Sequence, residues 1–277
     1  MSATDYIGRF APTPSGPLHF GSIVAAAGSW LDARACDGKW KLRIDDLDAP
    51  RVVPGVSDSI LRVLEGYGLI WDGDPVLQSK RFDKYETALE KLRNEGRTYG
   101  CNCTRKNWSD SNIYPTTCRD LALVDARSTR FISLNNAVKW QDLECGYVSI
   151  DVPNEVGDFL LQNAHGMYSY QIANAVDDVE MGVTDVVRGA DLLSVTAAHI
   201  LVQESLSGAS IRYRHLPLAL TPDGKKISKS SSARGVEVSA APRTLQSAFI
   251  HLGLGLVSLD QPEAMLKEAL AKWKVRA

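Results

Sequence analysis

The sequence predicts an α/β fold with an inserted metal-binding segment, and three observations carry that expectation. A short apolar stretch, Tyr6 to Phe10, reads as a strand and runs through a proline-framed turn into a helix dense in Ala and Ser. That strand, turn and helix order lets backbone N–H groups approach a phosphate at a helix N-terminus. Lys39 to Ile44 alternates as a second strand and ends in Asp45-Asp46-Leu47-Asp48, which sets acids at the carboxyl end of a strand, where ligands of open α/β sheets collect. Three of the five cysteines crowd between positions 101 and 118, in a segment that loses regular periodicity.

The remaining elements follow in order. Pro12 to Pro17 is a rigid turn and Gly21 to Arg34 the first helix; Ser57 to Gly66 and Phe82 to Asn94 carry helical spacing. From Cys101 to about Pro153 the pattern loosens into turns and short strands. Regular texture then resumes with a helix from Tyr168 to Val176, a buried strand from Thr184 to Val187, a helix from Asp191 to Leu206 and a strand from Arg214 to Leu220. Helices around Arg243 to Leu252 and from Pro262 to Lys274 close the chain. The expected organisation is residues 1–100 as the first half of a catalytic domain, 101–155 as a zinc-containing insertion, 156–235 as the second half with a lysine loop, and 236–277 as a short C-terminal helical segment.

Composition is that of an ordinary globular protein, 44% hydrophobic and 23% charged, and excludes a disordered or low-complexity chain. A net charge of -2 announces no global basic field, so an RNA partner has to use a local patch. The first residues lack a basic, apolar leader and no run is long enough to span a bilayer, so a cytoplasmic protein without a membrane partner is expected. In that reducing compartment clustered thiols argue for metal before disulfide. Cys36 and Cys145 stand alone and read as small core residues, and His165, His199, His215 and His251 as packing or surface.

Two short motifs describe one ATP site. His19-Phe20-Gly21-Ser22 opens the first helix, where Gly21 permits close backbone approach. Far along the chain, Lys226-Ile227-Ser228-Lys229-Ser230 forms a basic loop able to close over a triphosphate and neutralise charge moving onto pyrophosphate. The pair resembles the two signatures of class I aminoacyl-tRNA synthetases, which implies a Rossmann-like catalytic domain, ATP with Mg2+ as cosubstrate, and His19 and Lys229 as catalytic groups. By the same resemblance His19, Gly21, Ser22, Lys226, Ser228 and Lys229 bind ATP.

Arg9 to Gly21, Arg43 to Asp48, Leu69 to Asp72, Tyr170 to Asp178 and Val187 to Asp191 together resemble the glutamyl-tRNA synthetase catalytic core. That resemblance implies an amino-acid pocket of Arg9, Phe10, Ala11, Pro12, Thr13, Asp45, Tyr170, Asn174 and Arg188. The residue types agree on chemical grounds: L-glutamate carries two carboxylates and one ammonium, so its site wants two guanidinium forks, a hydroxyl and an acid. Which arginine takes which carboxylate is not legible. Where the family has glutamate in its Arg-x-Glu-Asp motif this chain has Asp45, shorter by one methylene.

Cys101, Cys103 and Cys118 have thiolate spacing suited to zinc but supply three sulfurs; Tyr114, Asp110 and Asp120 are the local oxygen candidates for the fourth position. A tyrosine at this place resembles the zinc site of the glutamyl-Q tRNA(Asp) synthetases, which implies structural Zn2+ on Cys101, Cys103, Tyr114 and Cys118. A full glutamyl-tRNA synthetase continues past its lysine loop into a large anticodon-binding region, and only a short helical stretch follows Ser232 here. The resemblance is therefore closest to those shorter paralogues. It implies a monomer that activates glutamate and transfers it to queuosine at the wobble position of tRNA(Asp). The alternatives are a minimal glutamyl-tRNA synthetase charging an acceptor end and a non-catalytic tRNA-binding paralogue.

Overall fold

The computed structural model describes residues 6–108, 113–133, 137–208, 210–219 and 235–276. Its strands are β1 (Ile7–Phe10), β2 (Lys39–Ile44), β3 (Val76–Leu77), β4 (Thr98–Cys101), β5 (Ser128–Phe131), β6 (Ala137–Asp142), β7 (Gly146–Asp151), β8 (Leu160–Gln162), β9 (Asp185–Gly189) and β10 (Arg212–Leu216). The α-helices are α1 (Phe20–Ala35), α2 (Val56–Gly66), α3 (Phe82–Asn94), α4 (Tyr170–Glu180), α5 (Leu193–Ser207), α6 (Ala241–His251) and α7 (Pro262–Arg276). The chain divides into two compact units: 1–77 with 183–191 and 212–277, and 78–182 with 192–211.

The first unit is a parallel α/β layer. β1, β2 and β3 pair in parallel, with Arg9 opposite Lys41 and Arg43 opposite Val76. β9 and β10 form a second parallel pair, and the Thr184 N–H just ahead of β9 donates to Ile7 O on β1 at 2.9 Å. β2 reads as an alternating strand only at its start; Leu42, Arg43 and Ile44 are all buried, as expected where helices cover both faces of a parallel sheet. The density of Ala, Gly and Ser in α1 has a packing reason. A Cβ on Gly28 would stand 2.6 Å from a Leu216 methyl, so the bare backbone lets α1 settle on β10 without displacing that buried side chain. Buried Asp32 on α1 then gathers Tyr6 OH (2.7 Å), Trp273 Nε1 (3.0 Å) and Arg214 Nε (3.3 Å), which ties α7 and β10 to the first helix.

The second unit holds an antiparallel sheet in the order β4-β5-β8, the β6–β7 hairpin, and helices α3, α4 and α5. The hairpin turns where Asp142 Oδ1 accepts the N–H groups of Glu144 and Cys145 and Gly146 takes a φ of 77°. Asp177 on α4 is fully buried, and Gln78 (2.8 Å), Arg81 (2.6 Å) and Tyr85 (2.9 Å) all donate to it, so this acid is a structural anchor. Cys36 and Cys145 depart from expectation: both are exposed, one at the C-cap of α1 and the other in the hairpin turn, because element ends face solvent whatever their composition. No helix among the described residues is long and apolar enough to cross a membrane.

Candidate active site and cysteine cluster

Arg9, Asp45 and Arg188 converge by topology on the carboxyl ends of the first unit's parallel strands. Arg9 lies one residue before the end of β1, Asp45 just past β2, and Arg188 one residue before the end of β9. All three are buried, at 3%, 7% and 5% exposure, a costly state for charges that demands partners. Asp45 has one in Arg43, whose Nε donates to Oδ1 at 2.6 Å and whose terminal nitrogen reaches Oδ2 at 3.2 Å. The Asp45 N–H also donates to Pro12 O (3.0 Å), which extends the β1–β2 alignment into the Ala11–Thr13 turn. Arg188 Nε donates to His215 Nε2 at 3.3 Å, the two residues being direct partners in the β9–β10 register, and its guanidinium lies over the Tyr213 ring. Sequence reading gave Arg43 no role in the site, although the Arg-x-Asp spacing could have flagged it, and read His215 as packing or surface; the structure buries His215 against Arg188.

His19 is the N-cap of α1. The Ser22 N–H donates to His19 Nδ1 (3.3 Å) and the His19 N–H returns to Ser22 Oγ (3.4 Å), a reciprocal capping box. With Nδ1 occupied as acceptor, a neutral imidazole carries its proton on Nε2 and presents a donor. Gly21 sits in the first helical turn, where orphan N–H groups and the helix dipole favour an anion. Lys226, Ser228 and Lys229 lie outside the described residues. On their C-terminal side the Val236 N–H donates to Leu18 O (2.9 Å), and Gly235 packs on Pro17 so closely that a Cβ would meet it at 2.7 Å.

Tyr170 and Asn174 belong to the second unit, one turn apart on α4. The Tyr170 ring meets His199 edge-on at 5.1 Å, while Asn174 is buried.

The second unit also assembles the cysteine cluster. β4 delivers Cys101 and leads to Cys103, and the turn after Tyr114 brings Cys118 back, so that the three sulfurs lie within 4.8 Å of one another. Tyr114 Oη stands 3.4 Å from Cys101 Sγ and 3.6 Å from Cys103 Sγ, and also accepts the Cys118 N–H at 2.9 Å. Asp120 is exposed and Asp110 lies outside the described residues, so Tyr114 is the candidate oxygen that the structure brings to the sulfurs. A tetrahedral dication with bonds of about 2.3 Å separates its sulfurs by roughly 3.8 Å, and this donor set suits that geometry. Burial, reinforced by hydrogen bonds to Cys101, Cys118 and Cys103, pushes the Tyr114 phenol well above its usual range. Burial also raises Cys103, but at Cys118 it is outweighed by hydrogen bonds from Tyr114, the Asn102 backbone and the other thiols, which bring that thiol down to about 7.

Around the cluster Asp158 is a buried hub. Arg119 donates to both of its oxygens, Ser133 donates through N–H (2.9 Å) and Oγ (2.8 Å), and Tyr99 OH donates at 2.8 Å. Burial alone would raise the Asp158 carboxyl, but those donors outweigh it and hold it below the usual carboxylate range.

A family described as "tRNA synthetases class I (E and Q), catalytic domain" matches residues 7–113 and 126–250. A protein of Pseudomonas putida named "Glutamyl-Q tRNA(Asp) synthetase" is 44% identical over 284 residues, which cover 100% of this chain and 94% of that protein. One of the same name from Dechloromonas aromatica is 43% identical, covering 96% of this chain and 90% of its own length. Among solved structures, a glutamate tRNA ligase from Elizabethkingia meningosepticum, in complex with its amino acid, superposes with a TM-score of 0.79 at 26% identity. The match covers 95% of this chain and 64% of that one, so this chain spans somewhat less than two thirds of the solved ligase.

Proposed function

We propose, for a chain that belongs to the class I tRNA synthetases of the glutamate and glutamine group and within them to the glutamyl-Q tRNA(Asp) synthetases, that it activates L-glutamate with ATP and transfers it to the queuosine base at the wobble position of tRNA(Asp). Membership makes it a ligase of the aminoacyl-tRNA synthetase type. The observation that carries the finer reading is the 44% identity running through the whole chain and 94% of the Pseudomonas putida protein of that name.

In the first step a glutamate α-carboxylate oxygen attacks the α-phosphorus of ATP, the bond to the bridging oxygen breaks, and pyrophosphate leaves. Arg9 and Arg188 hold the two substrate carboxylates, with Ala11, Pro12 and Thr13 forming the turn beneath and Phe10 its apolar floor. Tyr170 and Asn174 supply neutral donors, and Asp45, held by Arg43, faces the ammonium. His19 donates from Nε2 to a phosphate oxygen, and Gly21 and Ser22 open the helix toward it. Lys226, Ser228 and Lys229 neutralise the departing pyrophosphate; the attachment of Gly235 and Val236 to Pro17 and Leu18 supports bringing that segment to the His19 turn. ATP arrives with Mg2+, which shields its phosphate charge. In the second step a hydroxyl of the modified nucleoside attacks the mixed anhydride and AMP leaves, so catalysis is orientation and charge stabilisation without a protein nucleophile.

Cys101, Cys103, Tyr114 and Cys118 would hold a structural Zn2+ that supplies crosslinking to residues 101–155. The enzyme works as a monomer in the cytoplasm, where ATP and tRNA meet. The test incubates it with ATP, labelled glutamate and either queuosine-modified tRNA(Asp), unmodified tRNA(Asp) or tRNA(Glu), followed by nuclease digestion. Label on the wobble nucleoside of modified tRNA(Asp) alone is expected; label on a terminal adenosine would replace this reading with a minimal glutamyl-tRNA synthetase.

A further inference from the structure

We infer that Arg130 is the counter-charge of the cysteine cluster, a positioning residue that sets how tightly Cys101, Cys103, Tyr114 and Cys118 hold their dication. The inference rests on the metal reading above and adds a residue to it. Arg130 sits on β5, in the sheet that carries Cys101 on the neighbouring strand β4. Its side chain is 6% exposed, and its contacts converge on the donor set. Nε donates to Cys101 Sγ at 3.2 Å, the guanidinium carbon lies 3.7 Å from the centroid of the Tyr114 ring, and a terminal nitrogen donates to Asp158 O at 2.9 Å. The guanidinium carbon also lies 5.1 Å from the Trp108 ring, which itself meets the Tyr114 ring edge-on at 5.0 Å.

Charge counting says why a buried cation belongs there. Three thiolates around a dication leave a net charge of −1, or −2 when the phenolic oxygen is ionised, so the loaded centre is an anion in either case. An anion in a buried site needs a counter-charge or strong donors, and among the described residues Arg130 is a cation that touches two of the four donor residues. Its geometry also discriminates. The guanidinium is planar and carries several N–H groups, so it can sit over the Tyr114 ring while Nε donates to sulfur, a pairing a lysine ammonium reproduces less well. The Asp158 carbonyl fixes the other end of the fork, so the cation cannot swing into the open cleft of about 470 Å3 lined by Cys103, Tyr114 and Arg130.

The experiment measures metal retention, which a catalytic assay would not report. Wild-type protein, Arg130→Gln, Arg130→Lys and Tyr99→Phe are loaded with Zn2+ and titrated with a competing chelator, and Co2+-substituted samples are scanned for thiolate-to-metal and ligand-field bands. Tyr99→Phe is the control for general loosening, because it removes a hydrogen bond to Asp158 without touching a donor atom. Arg130→Gln is expected to weaken Zn2+ retention by roughly 10- to 100-fold and to shift the Co2+ bands, Arg130→Lys to recover part of the affinity, and Tyr99→Phe to match wild type. Wild-type retention and an unchanged Co2+ spectrum in Arg130→Gln would overturn the inference. So would an equal loss in Tyr99→Phe. If Arg130→Gln does not fold, Arg130→Met, which also removes the charge, decides: wild-type retention there overturns the inference, while wild-type retention in Arg130→Lys refutes the demand for a planar cation. Absence of stoichiometric metal in the wild-type protein would instead remove the metal reading on which the inference stands.

Discussion

Arg43 closes on Asp45 two residues along the same chain, Nε to Oδ1 at 2.6 Å and a terminal nitrogen to Oδ2 at 3.2 Å, with both side chains buried. The pair fixes the orientation of the carboxylate proposed to face the substrate ammonium, so under that proposal the acid is held in place before substrate arrives. The Asp45 side chain is short, and the planar fork of Arg43 reaches both of its oxygens.

Asp45→Asn is expected to lower stability by about 3 kcal/mol, because it leaves a buried guanidinium facing a neutral amide. Chemical denaturation reads this directly. Glutamate-dependent ATP–pyrophosphate exchange should fall at the same time, whereas an undiminished exchange rate would remove Asp45 from the pocket.

His19 caps α1 and is proposed to donate to a phosphate oxygen, two roles that substitution can separate. His19→Ala loses the α1 cap, at a cost of about 1 kcal/mol, together with the Nε2 donor. His19→Asn restores an N-cap acceptor but not a donor placed at Nε2. Urea midpoints should therefore return toward wild type in the asparagine variant, while exchange stays depressed by roughly a hundredfold in both.

The Arg188–His215 contact predicts a change confined to one substrate. His215→Ala removes the acceptor that fixes the guanidinium, a hydrogen bond to a charged group worth about 1.5 kcal/mol, and so should raise the glutamate KM by roughly tenfold. The ATP KM should stay where it is. Steady-state exchange at varied glutamate and varied ATP separates the two, and equal rises in both would mean a general loss of structure.

Asp158 supplies a pH dependence. Its folded pKa lies below the unfolded value, so the stability it contributes is present above the unfolded carboxylate range and is lost as pH falls through the folded value. Acid titration followed by near-ultraviolet circular dichroism should show packing around Tyr99 and Arg119 weakening at acid pH. Asp158→Asn should be less stable at neutral pH and flatter across that acid window.

Much of the fold was legible in local pattern. The Lys39 to Ile44 strand and the Phe82 to Asn94 helix coincide with β2 and α3, because alternation and 3.6-residue spacing are written along consecutive residues. Cys101, Cys103 and Cys118 were legible for the same reason, their spacing being short. Tyr114 was one of three oxygen candidates until resemblance and then geometry singled it out. What local pattern could not reveal lies across strands: Arg130 meets Cys101 through the β4–β5 pairing, and His215 meets Arg188 through a parallel register that periodicity does not encode. Cys36 and Cys145 were misread because a small apolar residue at an element end resembles one in its middle.

The first unit is assembled from three separate stretches of chain, and that has a consequence during synthesis. β1 meets its neighbour at Thr184 only after the second unit's long continuous stretch, residues 78–182, has already been made. At about 5–20 residues per second, the cysteine-bearing segment leaves the ribosome seconds before β9 and β10 do. Sheet closure in the first unit is thus a late, high-contact-order event, and a nascent chain halted before residue 183 carries β1 with an open edge. Ribosome-arrested chains of increasing length should accordingly become protease-resistant in the second unit first, and depend on chaperones most while that edge is bare.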